Sequence, residues 1–200
     1  MSIRLKIASI WLPDFILKKE LSNVAKKTIE GLDDILKQQK PEKMGEIKKY
    51  YELRGTMEER RASMATAHNK RVITLIEELG YENAIKIGRK AMFKVGYELG
   101  KEARQKLGVG NSFRDLEVAA RILYGILGIE FKLKNKNGNV IMVVNRCSLS
   151  KYYSPEACII LSAADEGVVC GLNEDMNMKF KERITEGASE CIACIKGVSA

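Results

Sequence analysis

The hydrophobic period of this chain first changes at Gly128, and that change limits what it can fold into. Up to Leu127 the apolar residues recur every three or four positions, the spacing of a buried helix face. Phe113, Leu116, Ala120, Leu123 and Leu127 are the last such set, opened by the cap Asn111-Ser112. Beyond Gly128 the run Glu130-Phe131-Lys132-Leu133-Lys134 alternates, Asn135–Asn139 is a turn, and Val140–Arg146 is rich in branched residues. That pattern is a hairpin. Ser154-Pro155-Glu156 opens another helix, serine as cap and proline at its first position, running to about Gly171. Met176–Ile184 and Glu190–Lys196 read as two further strands.

The residues before Gly128 read as helices throughout. Pro13-Asp14 begins a long amphipathic segment, Lys40-Pro41 interrupts it, and a shorter helix follows to about Tyr51. Gly55 suits a helix end and Thr56 a restart, with Glu58 and Glu59 favouring the first turn. One helix then reaches Leu79-Gly80 and the next spans about Glu82–Leu107. The order is five helices, a hairpin, one helix and a second hairpin. It predicts an α+β fold, a helical layer packed on an antiparallel sheet of about four strands. Residues 1–80 are expected to form an N-terminal helical extension and residues 81–200 the α+β domain.

Charge is distributed unevenly over these parts. Residues 1–110 carry 23 Lys/Arg and 15 Asp/Glu, giving +8, while residues 111–200 carry 11 of each. A basic half of this kind attracts nucleic acid or anionic lipid, or is simply a solvated helix surface with many i,i+4 pairs. No zinc finger, RNA-recognition signature or aromatic-interleaved basic strip is present, so nucleic acid is not an expected partner. No apolar run reaches the ~18–20 residues that cross a bilayer. The opening MSIRLKIASIWLP lacks an uninterrupted apolar core and a small-residue cleavage site, and the five cysteines are odd in number. A cytoplasmic protein without a disulfide framework is expected.

Those five cysteines, Cys147, Cys158, Cys170, Cys191 and Cys194, all fall within 48 residues, after 146 residues with none. Cys191-Ile192-Ala193-Cys194 has Cys-x-x-Cys spacing, but on a strand its two thiols face opposite sides. A better constellation joins distant residues. Cys147 ends one strand, Cys191 begins another, and Cys158, Ser162, Asp165 and Val169 share one helix face. If that face packs against the strand ends, Cys147, Asp165 and Cys191 meet. Two thiolates and a carboxylate suit Zn²⁺. The same residues suit a nucleophilic thiol, or are small apolar packing. The one histidine, His68, lies far off in sequence among polar residues, so a Cys–His dyad would have to recruit it across the fold. Gly88, Gly96 and Gly100, with Met92 between, form one stripe on a helix. Each glycine there costs ~1 kcal/mol relative to alanine, offset by close approach of another backbone or by room for a ligand.

From about Ile87 onward the chain resembles the V4R (4-vinyl reductase) superfamily, which includes sensor domains of aromatic-responsive regulators and TRAPP transport-complex subunits. The matching stretches are IGRKAMFKVGYELGKEA, LYGILGIEF and RITEGASECIACI. From Cys147 through LSAADEG to Gly187 and Cys191 it is similar to the related 2-amino-thiazoline-4-carboxylic acid hydrolase-like family. The resemblance implies a helical layer against an antiparallel sheet, enclosing a largely apolar pocket. In the zinc-bearing sensors a cysteine precedes the glycine matching Gly187 by four residues; Arg183 stands there. In the hydrolase-like family a cysteine often precedes the aspartate matching Asp165 by three; Ser162 stands there.

The resulting expectation is a small-molecule-binding protein of the V4R type with a cysteine-lined pocket between the Gly96/Gly100 helix, the Asp165 helix and the sheet. Phe93, Tyr97 and Tyr124 are its expected walls, Asp165 a polar contact, and Arg183 a fork-shaped cation for a ligand carboxylate. Cys147, Asp165 and Cys191 are the expected zinc ligands. The ligand is expected to be a small hydrophobic molecule or a carboxylate, and the chain to pair as a homodimer through its basic helices. The alternative is a hydrolase of a small cyclic amide or thiazoline carboxylic acid, using a thiolate or a metal-bound water.

Overall fold

The computed structural model describes residues 1–43, 53–136 and 139–197. In chain order they form α1 (Ile3–Ile10), α2 (Asp14–Gln39), a 3₁₀ turn (Pro41–Lys43), α3 (Met57–Leu79), α4 (Tyr81–Leu107) and α5 (Phe113–Leu127). Then come β1 (Ile129–Lys136), β2 (Asn139–Cys147), α6 (Pro155–Leu172), β3 (Met176–Glu182), a 3₁₀ turn (Ile184–Glu186) and β4 (Cys191–Gly197). The α+β arrangement read from the periodicity is the observed one. The shorter helix expected up to Tyr51 lies largely outside the described residues. Helix α1 was not anticipated: eight residues ending before Pro13 are too few to show a period. Ser2 nonetheless caps it, its hydroxyl accepting from the Leu5 amide.

Helix ends follow local chemistry. Thr56 and Glu59 form a reciprocal capping box at the start of α3. Gly128, at φ 72°, lets the chain turn from α5 into β1. A side chain there would meet the Arg61 guanidinium at 2.9 Å. That guanidinium donates to the Ile126 and Gly125 carbonyls, closing the end of α5 with a positive charge.

The sheet order is β1-β2-β4-β3, antiparallel throughout. The two hairpins therefore join through their second strands. Val144 lies opposite Cys191 and Ile129 opposite Cys147, so the end of β2 and the start of β4 fall at the same end of the sheet. Its inner face carries Phe131, Met142, Val144, Met178, Cys191 and Ala193, which pack with Tyr124 and Ile126 of α5. Leu21 and Ile29 of α2 and Met64 of α3 join the same cluster. No break in packing accompanies the boundary expected at residue 80, because α2 and α3 supply part of the sheet's own core.

Helix α6 is central. One side meets α4 at backbone distance: a Cβ at Gly96 would fall on the Ala164 carbonyl, and one at Gly167 on the Phe93 carbonyl. The Gly88/Gly96/Gly100 stripe thus serves helix packing, and Gly167 and Gly171 of α6 answer it from the other helix. Ligand room lies elsewhere. The buried Glu166 holds this helix in place, accepting from Arg89 at 2.8 Å and from the Phe180 amide at 3.3 Å.

Candidate functional site

The opposite side of α6 faces a cavity of about 270 Å³. Its walls come from α2 (Ile16, Val24), α5 (Leu123, Ile126), α6 (Leu161, Val168) and the inner sheet face (Ile129, Val144). Helix α4 contributes only its last turns, Leu99 to Leu107. One rim holds Leu12, Ile16, Glu20 and Lys106, with Glu20 and Lys106 3.6 Å apart. The register shift between Glu130 and Phe131 leaves Asn145 extra in β2, so Val144 and Cys147, three positions apart, both line the hollow. The helix wall follows from i, i+3, i+4 and i+7 spacing: Cys158, Leu161, Ser162, Asp165 and Val168 all line the hollow.

The polar groups gather where α6 crosses the end of β2 and the start of β4. Asp165 is half-buried there. Burial first, then the neighbouring Glu166 charge, raises its pKa to about 7, with Arg183 acting in the opposite sense. Tyr124 Oη finds no hydrogen-bond partner among the described residues, although its ring is buried and sits edge-on to Phe131 at 5.4 Å. A buried hydroxyl left unpaired costs ~1–3 kcal/mol. Arg183 is held by Ser162 Oγ (3.2 and 3.1 Å) and by Glu186 (2.9 Å), its guanidinium lying over the Phe180 ring.

Three of the five free cysteines, Cys147, Cys158 and Cys191, line the cavity; Cys170 and Cys194 do not. Burial pushes the Cys147 thiol up to about 11 and the Cys158 thiol up to about 12, and raises Cys191 as well. Each is therefore a protonated, weakly polar group at neutral pH. The Ile184 amide donates to Cys191 Sγ at 3.3 Å.

His68 also lines this cavity, despite its polar neighbours in sequence. It is 1% exposed. Thr28 Oγ1 donates to the Val24 carbonyl at 2.8 Å, so it accepts from His68 Nε2–H at 2.9 Å. Nδ1 then accepts from Tyr153 O–H at 2.7 Å. Burial, then the Arg71 charge, lowers the histidine to about 3, so the ring is neutral. Both nitrogens are occupied, which leaves none for a cysteine. Sequence reasoning passed over Thr28 and Tyr153. The signal available was His68 at i+4 from Met64 and i−4 from Val72, a polar residue within an apolar stripe.

Of the residues singled out from sequence, Tyr124, Cys147, Asp165, Arg183 and Cys191 surround one hollow. Phe93 and Tyr97 lie elsewhere, on the outward side of α4, where Phe93 is 40% exposed and the Tyr97 hydroxyl bonds Glu174. The glycine stripe turns α4 so that its glycines, not its aromatics, face α6. Among the described residues no three of His, Cys, Asp and Glu stand close enough together to hold a metal ion. Cys147, Asp165 and Cys191 share the cavity wall without closing around one point, so this donor set does not fit zinc.

A model of the L-2-amino-thiazoline-4-carboxylic acid hydrolase family matches residues 60–195. The chain belongs to that family. This thiazoline-hydrolase family match takes in α4 to α6, the sheet up to Ile195 and most of α3; α1 and α2 lie outside it. A search of curated proteins returns no match. Among solved structures, the trafficking protein particle complex subunit 3 of Naegleria fowleri, covalently bound to palmitic acid, aligns with a TM-score of 0.56 at 16% identity. The alignment covers 68% of this chain and 94% of that one. The family member described here shares that fold. The phenol-responsive sensory domain of the transcription activator PoxR, with phenol, gives 0.49 at 15% identity, over 68% of this chain and 74% of that one. An H-NOX protein from S. oneidensis gives 0.45 at 14%, over 86% and 97%.

Proposed function

We propose that this chain is a small-molecule-binding protein of the V4R type, holding a ligand with an apolar body and a hydrogen-bonding or carboxylate head. The observation that carries this reading is Tyr124 Oη, buried without a partner beside a carboxyl that titrates near neutrality, at one end of an otherwise apolar cavity. Apolar walls supply most of the binding energy in such a pocket, and a few polar groups orient the ligand. A head group there accepts from Tyr124, and Arg183 offsets its charge. Asp165 sets the pH range: below about pH 7 it is neutral and does not repel an anion. A medium-chain fatty acid has this chemistry, and the palmitic acid of the Naegleria subunit is a ligand of the same kind.

The test is thermal unfolding with decanoate at pH 6 and pH 8, alongside native mass spectrometry for any co-purified compound. Binding at a hundred times Kd adds ~2.7 kcal/mol, which for a chain of this size raises Tm by several degrees. The shift is expected at pH 6 and smaller at pH 8. No shift at either pH, with phenol also inert and no retained mass, would remove the proposal.

A second reading is favoured by the family match and by Asp165. A carboxyl poised near pH 7 suits general acid–base work, so a water activated by Asp165 could open a thiazoline or cyclic amide ring. The raised thiols make cysteine the weaker nucleophile. Turnover of 2-amino-thiazoline-4-carboxylate that disappears in Asp165→Asn would establish it. Absence of turnover in a preparation that binds decanoate would leave the binding role alone.

A further inference from the structure

Helix α1 presents an apolar surface that nothing in the fold uses. It is seated by its other side. Leu5 is fully buried among Ala103, Val109, Leu116, Ala119 and Leu172, and the N-terminal amine lies 3.5 Å from Asp115. Ile3, Ile7 and Ile10 follow i, i+4, i+7 spacing, diametrically opposite Leu5. They are 78%, 60% and 76% exposed, and Trp11 (69%) and Phe15 (70%) continue the surface. Five large, exposed apolar side chains within residues 3–15 are more than scattered surface residues, which need no explanation.

Charge decides between occupants. Residues 1–20 carry Arg4, Lys6, Lys18 and Lys19 against Asp14 and Glu20; Asp14 pairs with Lys18 and Glu20 with Lys106. Arg4 and Lys6 are exposed, as is Lys19 in the first turns of α2, and none of the three forms an ion pair among the described residues. We infer that the Ile3/Ile7/Ile10/Trp11/Phe15 face docks on an anionic lipid bilayer, with α1 lying in the plane of the headgroups and Arg4, Lys6 and Lys19 meeting lipid phosphate or carboxylate.

The arrangement matches what an in-plane helix needs: a narrow apolar face, basic flanks, and an indole at the boundary of water and hydrocarbon. A second copy of the chain fits less well. Eight helical residues span only ~12 Å. Two copies would also bring like charges face to face. Leu12 and Ile16, between the exposed residues, line the cavity, so the docked surface adjoins its wall. The inference does not depend on what the cavity holds.

Trp11 is the chain's one tryptophan, so the intact protein reports on its own docking. Its emission is recorded with vesicles of neutral phosphatidylcholine and with vesicles carrying about a third phosphatidylserine, at low and high salt. A blue shift and quenching by lipids brominated in the acyl chain are expected with the anionic vesicles, diminishing with salt. Co-sedimentation should fall at least tenfold in I7E/I10E. Both positions are solvent-exposed, so Tm should be unchanged. Trp11 emission indifferent to anionic vesicles overturns the inference, as does full co-sedimentation of I7E/I10E. So does a blue shift that grows with protein concentration in the absence of lipid, which would assign the face to a second copy.

Discussion

The two faces of α6 are built on opposite plans. Toward α4, Ala164, Gly167 and Gly171 let two backbones touch, and no side chain fits between them. Toward the sheet, Leu161, Asp165 and Val168 stop short of β2 and β4 and leave the hollow. The dense side fixes where α6 sits, which lets the open side remain open. Close packing normally fills such voids, because each unfilled one loses contact energy.

Substitution on the dense face should have the largest effect. In Gly167→Leu the new side chain would fall on the Phe93 carbonyl and within 2.7 Å of the Tyr97 amide, both backbone. A loss of more than ~4 kcal/mol is expected in urea denaturation, in the range reserved for overpacked cores. Gly88→Ala, whose Cβ meets only the Ile160 side chain at 2.8 Å, should cost much less. Equal losses in the two variants would break the contrast.

On the open face the next effect is electrostatic. The Asp165 carboxyl is raised from 3.8 to about 7 on folding. Its contribution is fully present below pH 3.8 and is lost as pH rises through 7. His68 works oppositely: lowered from 6.5 to about 3, it contributes above pH 6.5 and loses that contribution as pH falls. Asp165→Asn should therefore gain about 2 kcal/mol over the parent at pH 8 and little at pH 4. The full shift corresponds to more than this, but Asp165 is only half-buried and solvent screening reduces it. A pH-independent difference would mean that Asp165 is not perturbed as described.

Filling the hollow should disturb stability least while ending its use. Val144 is 3% exposed and packs with Tyr124 while lining the hollow, so Val144→Phe should cost ~1 kcal/mol, the low end for overpacking, with decanoate affinity reduced at least tenfold. A large loss of stability would show the cavity too small to admit the ring. The gentlest probe changes no residue. At pH 7.5 Cys147 and Cys158 should alkylate at least tenfold more slowly than in the urea-unfolded chain, because their thiols are raised to about 11 and about 12. Equal rates would reopen a thiolate role.

Much of this was legible in the residues. The change of period at Gly128 separated helices from strands, and the caps at Thr56, Ser112 and Ser154 lie where the sequence puts them. Asp165, Cys147 and Cys191 were associated because strand ends and a helix stripe have definite geometry. Phe93 and Tyr97 were misplaced because a stripe of glycines says that something approaches closely, but not whether it is a ligand or a helix. His68 was passed over because its sequence neighbours are polar, whereas burial depends on which side of α3 it occupies.

The sequence by itself determined the long helices, the strands and their order, since these follow from periodicity and capping over a few residues. Only the tertiary structure decided that one side of α6 is sealed and the other hollow, that His68 joins Thr28 and Tyr153, and that the isoleucines of α1 face outward. Those are relations between surfaces far apart in the chain. Local spacing carries no record of the distance at which two such surfaces come to rest.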